Sequence, residues 1–515
     1  MPLDSRLLRE ARSPMIGRAD VRDIRSRIEV LDEKDIERLH QATLEVLATV
    51  GCRLPHKRVL DLMRQAGAEV DYAAATVRLP PDLVEKAIRE TAPRSSLRPN
   101  NGTFRPVPIR RGGFRIGPGN QANIIDYQAT YRRQGTTQDV IKGIVLCNEL
   151  PYIASCMPLV TPADVPAFMG DLCGYYLCTL YSKKPYSVYI ITPETARQIL
   201  RIWEIVRHEP ARAADRPYVG YLLEPNGSLS YDDFSLEMAL IFAEAGHRIY
   251  LGPMAMAGLD APVTLAGTLV IQNADNLIGV VLCYLLGVPG SWSGSAHTVD
   301  LRHGLCSFGS PNQVLLGLAT TQLGHYYGFD VGVNSALTDA CVPDFQGGFE
   351  KGMSAIVALL SGAEGVGAQG IVGADQGTSF EQLVIDNEWA SAIDHIFRLG
   401  LEVNEETLAV EVIKKVGIGG NYLAEEHTVR HMRQTYWPAT IFNQASWEAW
   451  MRDGGQDVYA KAHEKVQEIL AAHYPPQPLL RSEVIRELDA LIEEARAHPE
   501  RFEPERYGRR NERKG

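Results

Sequence analysis

The sequence predicts an α/β protein whose main part is a (β/α)8 TIM barrel. Strands and helices alternate with a regular period from Gly112 to about Gly400, and this order is typical of a parallel sheet covered by helices. Eight strands can be identified, which is the number that closes a barrel, and a barrel of about 250 residues with insertions fits the available length. A doubly wound sheet has the same alternation, so periodicity alone leaves that second architecture open.

The predicted strands are short and apolar, and a helix that buries at least one face follows each of them. The strands cover residues 114–117, 153–157, 186–191, 218–223, 249–254, 290–294, 330–336 and 366–371. The helices cover residues 137–150, 165–181, 194–207, 234–245, 263–286, 312–327, 345–360 and 379–399.

The rest of the 515 residues predicts a helical cap before the barrel and a helical extension after it. We divide the chain into an arm at 1–29, a cap at 30–100, the barrel at 112–400 and an extension with a tail at 401–515. Predicted helices in the cap and extension cover residues 32–50, 57–65, 81–90, 404–416, 457–473 and 481–498, with a hairpin within 68–79. The aromatic-rich segment 427–450 is predicted to pack across a barrel end or in a subunit contact, since exposed rings promote aggregation.

The composition argues against several classes of protein. A net charge of −11 gives no attraction to a nucleic-acid backbone, so no nucleic-acid partner is expected. The N-terminal residues lack the apolar core of a signal peptide, which predicts a cytoplasmic location. The most apolar stretch, residues 263–288, contains Gln272, Asn273, Asp275 and Asn276. These polar residues predict a buried helix rather than a membrane span.

Residues 330–370 are the most informative part of the sequence, because two short apolar strands there flank one helix. Polar side chains crowd the segment directly after the first of these strands, where parallel sheets and barrels place their sites. The helix at 345–360 repeats apolar residues at three- and four-residue spacing, which predicts an inward-facing stripe. The stripe consists of Phe349, Met353, Ile356, Val357 and Leu360.

Side chains that follow the strands of a closed barrel converge on one cavity. Here they combine aromatic rings, amides and a few carboxylates, and a soft, bulky cation gains from ring faces and from nearby negative charge. Tyr189, Glu224 and Trp292 are predicted to hold such a cation. The full predicted substrate-binding set is Tyr189, Glu224, Trp292, His297, Asn334, Asp339, Gln346, Glu350 and Gln369.

Other kinds of site have weaker support. The glycine-rich run at 365–370 lies within a predicted strand instead of opening a helix, which argues against a nucleotide-binding loop. His297, His303 and Cys306 are the best candidate zinc ligands, but the two histidines do not share a helical face, so no metal site is predicted. A lyase or hydrolase that uses Glu224 and Asp339 for acid–base chemistry stays open.

Two runs of the sequence resemble the trimethylamine methyltransferase (MttB) superfamily. They are MPLVTPADVP at residues 157–166 and TDACVPDFQGGFEKG at residues 338–352. The second run is the more specific, because Thr-Asp followed by Asp-x-Gln-x-Gly-x-Glu-Lys recurs as a block in that family. The order of predicted elements also agrees, over roughly residues 30–475. The resemblance implies a TIM barrel that moves a methyl group from a methylated amine to the cobalt of a separate corrinoid protein.

The founding members of this family carry pyrrolysine, whereas this chain has only standard residues. The chain is therefore similar to the non-pyrrolysine branch, which includes glycine betaine methyltransferases, and the resemblance implies a quaternary amine such as glycine betaine as the substrate. His297, Asn334 and Gln369 are then the available donors for the substrate carboxylate.

A quaternary amine needs no protein nucleophile, so the catalytic residues stay unassigned. We expect cobalamin or a related corrinoid to be supplied by a partner protein and not to be bound tightly by this chain. A homo-oligomer is expected as well. A protein that binds a methylated amine without catalysis is the remaining alternative.

Overall fold

The structure is a computed structural model that describes residues 28–92, 116–129, 131–209, 219–294, 296–399 and 401–502. It is a mixed α/β protein in which short strands form both parallel and antiparallel pairs among the helices. The predicted arm, apart from residues 28 and 29, lies outside the described residues, as do residues 93–115 and the tail from 503 onward.

The cap contains the predicted helices and hairpin. Its elements are α1 Glu33–Thr49, β1 Cys52–Arg53, α2 Lys57–Gln65, β2 Glu69–Asp71, β3 Thr76–Arg78 and α3 Pro81–Thr91. The Asp32 carboxylate accepts the Asp35 N–H at 2.8 Å and so caps the start of α1. The strands form an antiparallel sheet in the order β1-β3-β2, which leaves β1 at an edge.

The central region alternates strands and helices from residue 220 onward, whereas the predicted strands at 153–157 and 186–191 are not formed as strands between the helices that flank them. Its strands are β4 Asn123–Ile124, β5 Arg133–Gln134, β6 Gly220–Leu223, β7 Arg248–Leu251, β8 Met256–Ala257, β9 Trp292–Gly294, β10 His297–Asp300, β11 Leu305–Ser307, β12 Val331–Val333, β13 Gly365–Val366, β14 Ile371–Val372 and β15 Gly377–Thr378. Its helices are α4 Thr137–Glu149, α5 Gly170–Tyr181, α6 Pro193–Val206, α7 Asp233–Glu244, α8 Leu265–Leu286, α9 Pro311–Tyr327, α10 Phe345–Ser361 and α11 Phe380–Leu399.

Parallel pairing brings the end of this region back to its beginning. β9 pairs with β12, and β12 pairs with β13, both in parallel. Just after β13, the Gln369 N–H donates to the Gly117 carbonyl and the Gly119 N–H donates to the Gln369 carbonyl, each at 2.9 Å. The segment that follows β13 therefore lies beside the first predicted strand.

The first three predicted strands continue the same series. They are represented by single parallel bridges, in the pairs Ile116 with Ile153 and Cys156 with Tyr186. β6 and β7 form a separate parallel pair. The Leu251 N–H at the end of β7 donates to Ser291 Oγ at 2.9 Å, so a side chain joins this pair to the segment that leads into β9.

Helix α8 is the apolar helix that the sequence predicts to be buried. It is the described helix that is long and apolar enough to cross a membrane, yet 72% of its most apolar window is buried inside the protein. Its polar residues are buried too, and Asn273 donates to Thr43 Oγ1 and to Tyr327 Oη, both at 2.9 Å. The core position that the sequence predicts for this helix is confirmed.

Two sequence predictions in the informative run are wrong. The apolar stripe of α10 does not face inward, because Phe349 is 57% exposed and Ile356 is 37% exposed. The buried face of α10 instead carries mainly small residues, together with Lys351 and Leu359. The eighth predicted strand, 366–371, is also not continuous, since a turn with Ala368 and Gly370 at positive φ separates β13 from β14.

The last two helices of the C-terminal extension have a buried face that includes Val466 and Leu488, whereas the four short helices before them have no buried residue. Its helices are α12 Glu405–Leu408, α13 Val410–Val416, α14 Glu426–Thr435, α15 Trp447–Arg452, α16 Val458–His473 and α17 Ser482–Ala497. The predicted helix at 404–416 is broken at Ala409, which has a φ of 52°. In the aromatic-rich segment, Trp437 Nε1 donates to Ser391 Oγ at 3.1 Å, while Trp447 is 69% exposed.

Candidate functional site

A cavity of about 670 Å³ lies between the cap and the ends of two parallel segments of the central region. Its walls come from residues 188–191, from β6 with the loop after it, and from the first turns of α7. Two predicted binding residues, Tyr189 and Glu224, line it, and the cap contributes Arg53. The position after the strands agrees with the rule that α/β sites form at the carboxyl ends of parallel strands.

The loop that carries Glu224 is held from two sides. On the cap side, the Arg53 N–H donates to the Leu229 carbonyl at 2.8 Å and the Tyr231 N–H donates to the Arg53 carbonyl at 3.1 Å. On the core side, the Asp275 carboxylate of α8 accepts the Leu229 N–H at 3.1 Å. Because edge strand β1 has a free backbone side, it pairs with this loop and closes the cavity wall.

Tyr189, Glu224 and Asp375 share one electrostatic environment. Glu224 keeps an exposed face, but desolvation by the surrounding protein raises its pKa to about 7, and the Asp375 charge adds to the shift. Desolvation within the cavity also raises the pKa of Tyr189, whose ring is partly exposed, with further contributions from the Glu224 and Asp375 charges. The carboxylates repel each other in a partly desolvated space, so a cation between them would relieve an existing cost.

Asp375 is held by a residue that follows the first predicted strand. The Gln121 side-chain amide donates to Asp375, and the Gln121 N–H donates to the Leu159 carbonyl at 2.9 Å. Burial raises the pKa of Asp375, and this hydrogen bond opposes the shift. Neither residue is in the predicted binding set. Asp375 could have been found from its position after the eighth strand, whereas nothing in the sequence marks Gln121.

Three predicted binding residues, Asp339, Gln346 and Glu350, form a hydrogen-bonded network in the segment that follows β12. Glu350 accepts the Thr338 hydroxyl at 2.6 Å and the Asp339 N–H at 2.9 Å, and Gln346 Nε2 donates to the same carboxylate at 2.8 Å. Asp339 in turn accepts the Phe308 N–H at 2.6 Å. Asp339 and Glu350 therefore fix the loop after β12 to the turn before α9.

Asn334 and Gln369 lie at the ends of neighbouring segments, as predicted. The Asn334 side chain crowds Gly367, where an added Cβ would lie 2.9 Å from its Oδ1 atom. Gln369 is fully buried, and its Oε1 atom accepts the Lys351 ammonium at 3.1 Å. Gln369 is thus engaged in the core and does not line the cavity described above.

Trp292 and His297 do not have the positions that the sequence predicts. Trp292 is 2% exposed and packs against Tyr327 and Phe329, with ring centroids 4.9 Å and 5.6 Å away. His297 is fully buried against Phe308 at 4.3 Å, and burial lowers its pKa to about 3. Both side chains belong to the core because they point toward the packed layers, and periodicity gives no information on that direction.

The zinc alternative is not assembled either. His303, the second candidate ligand, is exposed and its Nδ1 lies 2.8 Å from Asp300, while the first candidate is buried in the core. The pairing of Glu224 with Asp339 for acid–base chemistry has no support from the hydrogen bonds, since Asp339 is committed to the Ser307 hydroxyl and the Phe308 N–H. The cavity therefore offers an aromatic ring and carboxylates for a small cation.

The fold is that of an α/β protein, and its acidic, aromatic cavity beside parallel segments is suited to a small cationic molecule. The family model described as "Trimethylamine methyltransferase (MTTB)" matches residues 5–498. The chain belongs to this family and is a methyltransferase.

Two relatives and one solved structure are similar to this chain over most of its length. A trimethylamine methyltransferase MttB from Methanosarcina barkeri (strain Fusaro) is 31% identical over 474 residues, covering 90% of this chain and 94% of that protein. A glycine betaine methyltransferase from Desulfitobacterium hafniense (strain Y51) is 27% identical over 467 residues, covering 90% and 96%. The crystal structure of the Methanosarcina barkeri monomethylamine methyltransferase matches 87% of this chain and 90% of its own, with 14% identity and a TM-score of 0.47.

Proposed function

We propose that this chain transfers a methyl group from a quaternary amine, such as glycine betaine, to the Co(I) centre of a corrinoid held by a partner protein. The observation that carries the proposal is the cavity in which Tyr189 and Glu224 lie within the field of Asp375. A permanent cation is stabilised there by the Glu224 carboxylate and the Tyr189 ring, with a further contribution from the field of Asp375, and it offers no proton for which a base would be needed.

The chain's own residues position and desolvate the substrate. When the methyl group leaves, the electron pair of the broken C–N bond stays on nitrogen, and the amine departs neutral while Co(I) supplies the pair for the new bond. The positive charge near Glu224 and Asp375 is lost in this step. The carboxylates therefore stabilise the bound substrate but give no such stabilisation to the neutral product amine. Positioning in a partly desolvated cavity is the contribution expected from the protein.

We also propose that the parallel segments close into a TIM barrel. The support is the series of parallel pairs that runs from β9 through β12 and β13 to Gln369, then to Gly117 and on to Tyr186. In this barrel the pair β6–β7 lies between the segment at Tyr186 and β9, and the Leu251–Ser291 hydrogen bond joins β7 to the segment before β9. Short strands with large tilt pair over few residues, which accounts for the separate small sheets.

This chain has a candidate docking surface for the corrinoid protein, and it lies beside the strand ends. Phe345 and Phe349, in the first turns of α10, are 88% and 57% exposed, with ring centroids 6.4 Å apart. Val342, in the loop after β12, is 39% exposed beside them. An exposed aromatic pair is typical of a protein contact, and its position at the carboxyl end of β12 suits a partner that must bring cobalt to the cavity.

Self-association is proposed through the exposed part of the extension. None of the described residues in α12, α13, α14 and α15 is buried. Large apolar side chains there are strongly exposed, among them Leu401, Ile418, Leu423 and Trp447. Helices without a buried face do not stay folded alone. We assign a second copy of this chain as the occupant because the predicted homo-oligomer needs a surface separate from the docking surface for the corrinoid protein.

Calorimetry followed by a methyl-transfer assay tests the function. The purified chain is titrated with glycine betaine, carnitine, proline betaine and choline, and is then incubated with a corrinoid protein reduced to Co(I). We expect binding of at least one quaternary amine and methylation of the cobalt. Binding without methylation would support the non-catalytic alternative, and binding of none of these compounds would contradict the substrate class.

The docking surface needs its own variant. The double substitution Phe345→Ser with Phe349→Ser should leave amine binding unchanged, because neither ring lines the cavity. It should raise the concentration of corrinoid protein required for half-maximal methyl transfer by about tenfold. If the required concentration did not change, the corrinoid protein would have to dock on another surface.

A further inference from the structure

The cap supplies a cationic side chain to a cavity whose other charged groups are acidic. The charged side chains that line it in the described part of the chain are Arg53, Glu224, Asp232 and Asp233. Asp232 is used as the cap of α7, where it accepts the Ser235 N–H at 2.7 Å. Arg53 is therefore the available cation of this wall.

Arg53 is held by its backbone and not by its side chain. Both its N–H and its carbonyl pair with the loop that carries Glu224, as described above. Among the described residues, the Arg53 guanidinium has no hydrogen bond or ion pair and is exposed to the cavity. By contrast, the neighbouring cap residues Arg58 and Arg78 pair with Glu244 and Glu69.

An unpaired guanidinium in a concave site is placed to bind an anion. Arginine offers donors in a planar fork that matches a carboxylate in two parallel hydrogen bonds. Arg53 and Glu224 line the same cavity without forming an ion pair with each other, so a ligand can lie between them. Such a ligand carries a cationic end for Tyr189 and Glu224 and an anionic end for Arg53.

We propose that Arg53 binds the carboxylate of the substrate and so selects zwitterionic betaines over quaternary amines that have no acid group. This inference rests on the proposed function and adds the residue that sets the substrate class. It replaces the three donors that the sequence predicts for the carboxylate, because His297 and Gln369 are fully buried in the core and Asn334 does not line this cavity. It also gives the cap a part in recognition: the β1 edge strand carries the specificity residue into a site built by the central region.

The test compares two ligands and three proteins. Wild type, Arg53→Gln and Arg58→Gln are titrated calorimetrically with glycine betaine and with tetramethylammonium, which lacks a carboxylate. Arg58→Gln is the matched control, because it removes an ion pair between the cap and α7 without touching the cavity. Thermal unfolding of all three proteins checks that the cap stays docked.

We expect Arg53→Gln to weaken glycine betaine binding by about tenfold or more, since a charge-assisted bidentate contact is lost. Tetramethylammonium affinity should stay within about twofold of wild type, and Arg58→Gln should change neither affinity. An unchanged ratio of the two affinities in Arg53→Gln would overturn the assignment of Arg53 while leaving the proposed function intact. A wild-type protein that binds neither ligand would overturn both.

Discussion

The Lys351 ammonium lies 3.0 Å from Asp386 Oδ2, and both side chains are fully buried. Lys351 also donates to the Ala336 carbonyl after β12, and Asp386 accepts the Gly370 N–H at 2.7 Å after β13. Ala336 and Gly370 have positive φ values of 64° and 83°. The ion pair therefore holds two unusual backbone turns in place, one after each of two neighbouring parallel strands.

Replacing Lys351 by Met should destabilise the protein strongly. The substitution leaves the Asp386 carboxylate buried without its cation, which costs about 3–5 kcal/mol in the free energy of unfolding. Urea unfolding measures the change. The control is Lys57→Met, which removes an exposed ion pair with Asp61 and should leave the unfolding midpoint unchanged. Equal midpoints for the two variants would contradict a supporting role of the buried pair.

Amine binding should strengthen as the pH rises through the pKa of Glu224. Desolvation by the surrounding protein and the charge of Asp375 hold that pKa at about 7, so the side chain is largely protonated below this value and negatively charged above it. A bound cation favours the charged form, and binding near neutral pH should release protons, which calorimetry in buffers of different ionisation enthalpy detects. The two other groups that act on this site, Asp375 and Tyr189, have raised pKa values as well.

Glu224→Gln should remove most of this pH dependence and weaken binding by about tenfold at about pH 8. Because the folded pKa of Glu224 lies above the ordinary value of 4.5, the native state binds the extra proton and its stability falls as the pH rises from about 4.5 to about 7. Glu224→Gln should therefore flatten that fall as well. A pH profile in the variant identical to that of wild type would assign the titration to another group.

Substitutions at Trp292 and Tyr189 should have different effects, the first on the stability of the protein and the second on amine binding. Trp292→Ala leaves a void beside Tyr327 and Phe329 and should cost about 3–5 kcal/mol in the free energy of unfolding. Tyr189→Leu removes a 40% exposed ring, so it should weaken amine binding by about fivefold with little loss of stability. Urea unfolding and calorimetry on both variants check this. If Trp292→Ala kept normal stability but lost amine binding, the result would support the sequence prediction that Trp292 contacts the ligand.

Two glycines next to the Glu350 network should respond differently to alanine. A Cβ at Gly309 would overlap the Glu350 carboxylate, whereas a Cβ at Gly348 in α10 meets nothing within 4 Å. Gly309→Ala should displace Glu350 from Thr338 and Asp339 and lower stability by about 1–3 kcal/mol. Gly348→Ala should be neutral or stabilising by about 0.5–1 kcal/mol, because alanine favours the helix. Similar unfolding midpoints would contradict the close approach at Gly309.

The positions of helices could be read from the sequence because helix formation depends on local pattern. α8 and α9 begin and end within about two residues of the prediction. The direction of the side chains on α10 could not be read in the same way. Its apolar residues repeat with the period of a buried stripe, yet the buried face carries mainly small residues, together with Lys351 and Leu359.

The candidate site was predicted in part for a similar reason. Tyr189 and Glu224 follow strands, and position after a strand is visible in the sequence. Arg53 belongs to an edge strand in the cap, more than a hundred residues before its neighbours in the cavity. No local pattern brings such distant residues together.

The sequence by itself determined the family, the alternation of strands and helices, and the acidic, aromatic character of the residues after the strands. Only the tertiary structure decided which of those residues reach a cavity, which are enclosed by the core, and that the cap completes the wall. The reason is physical: local hydrogen bonding and apolar periodicity set where a helix or strand forms, but the direction of a side chain depends on the elements packed around it.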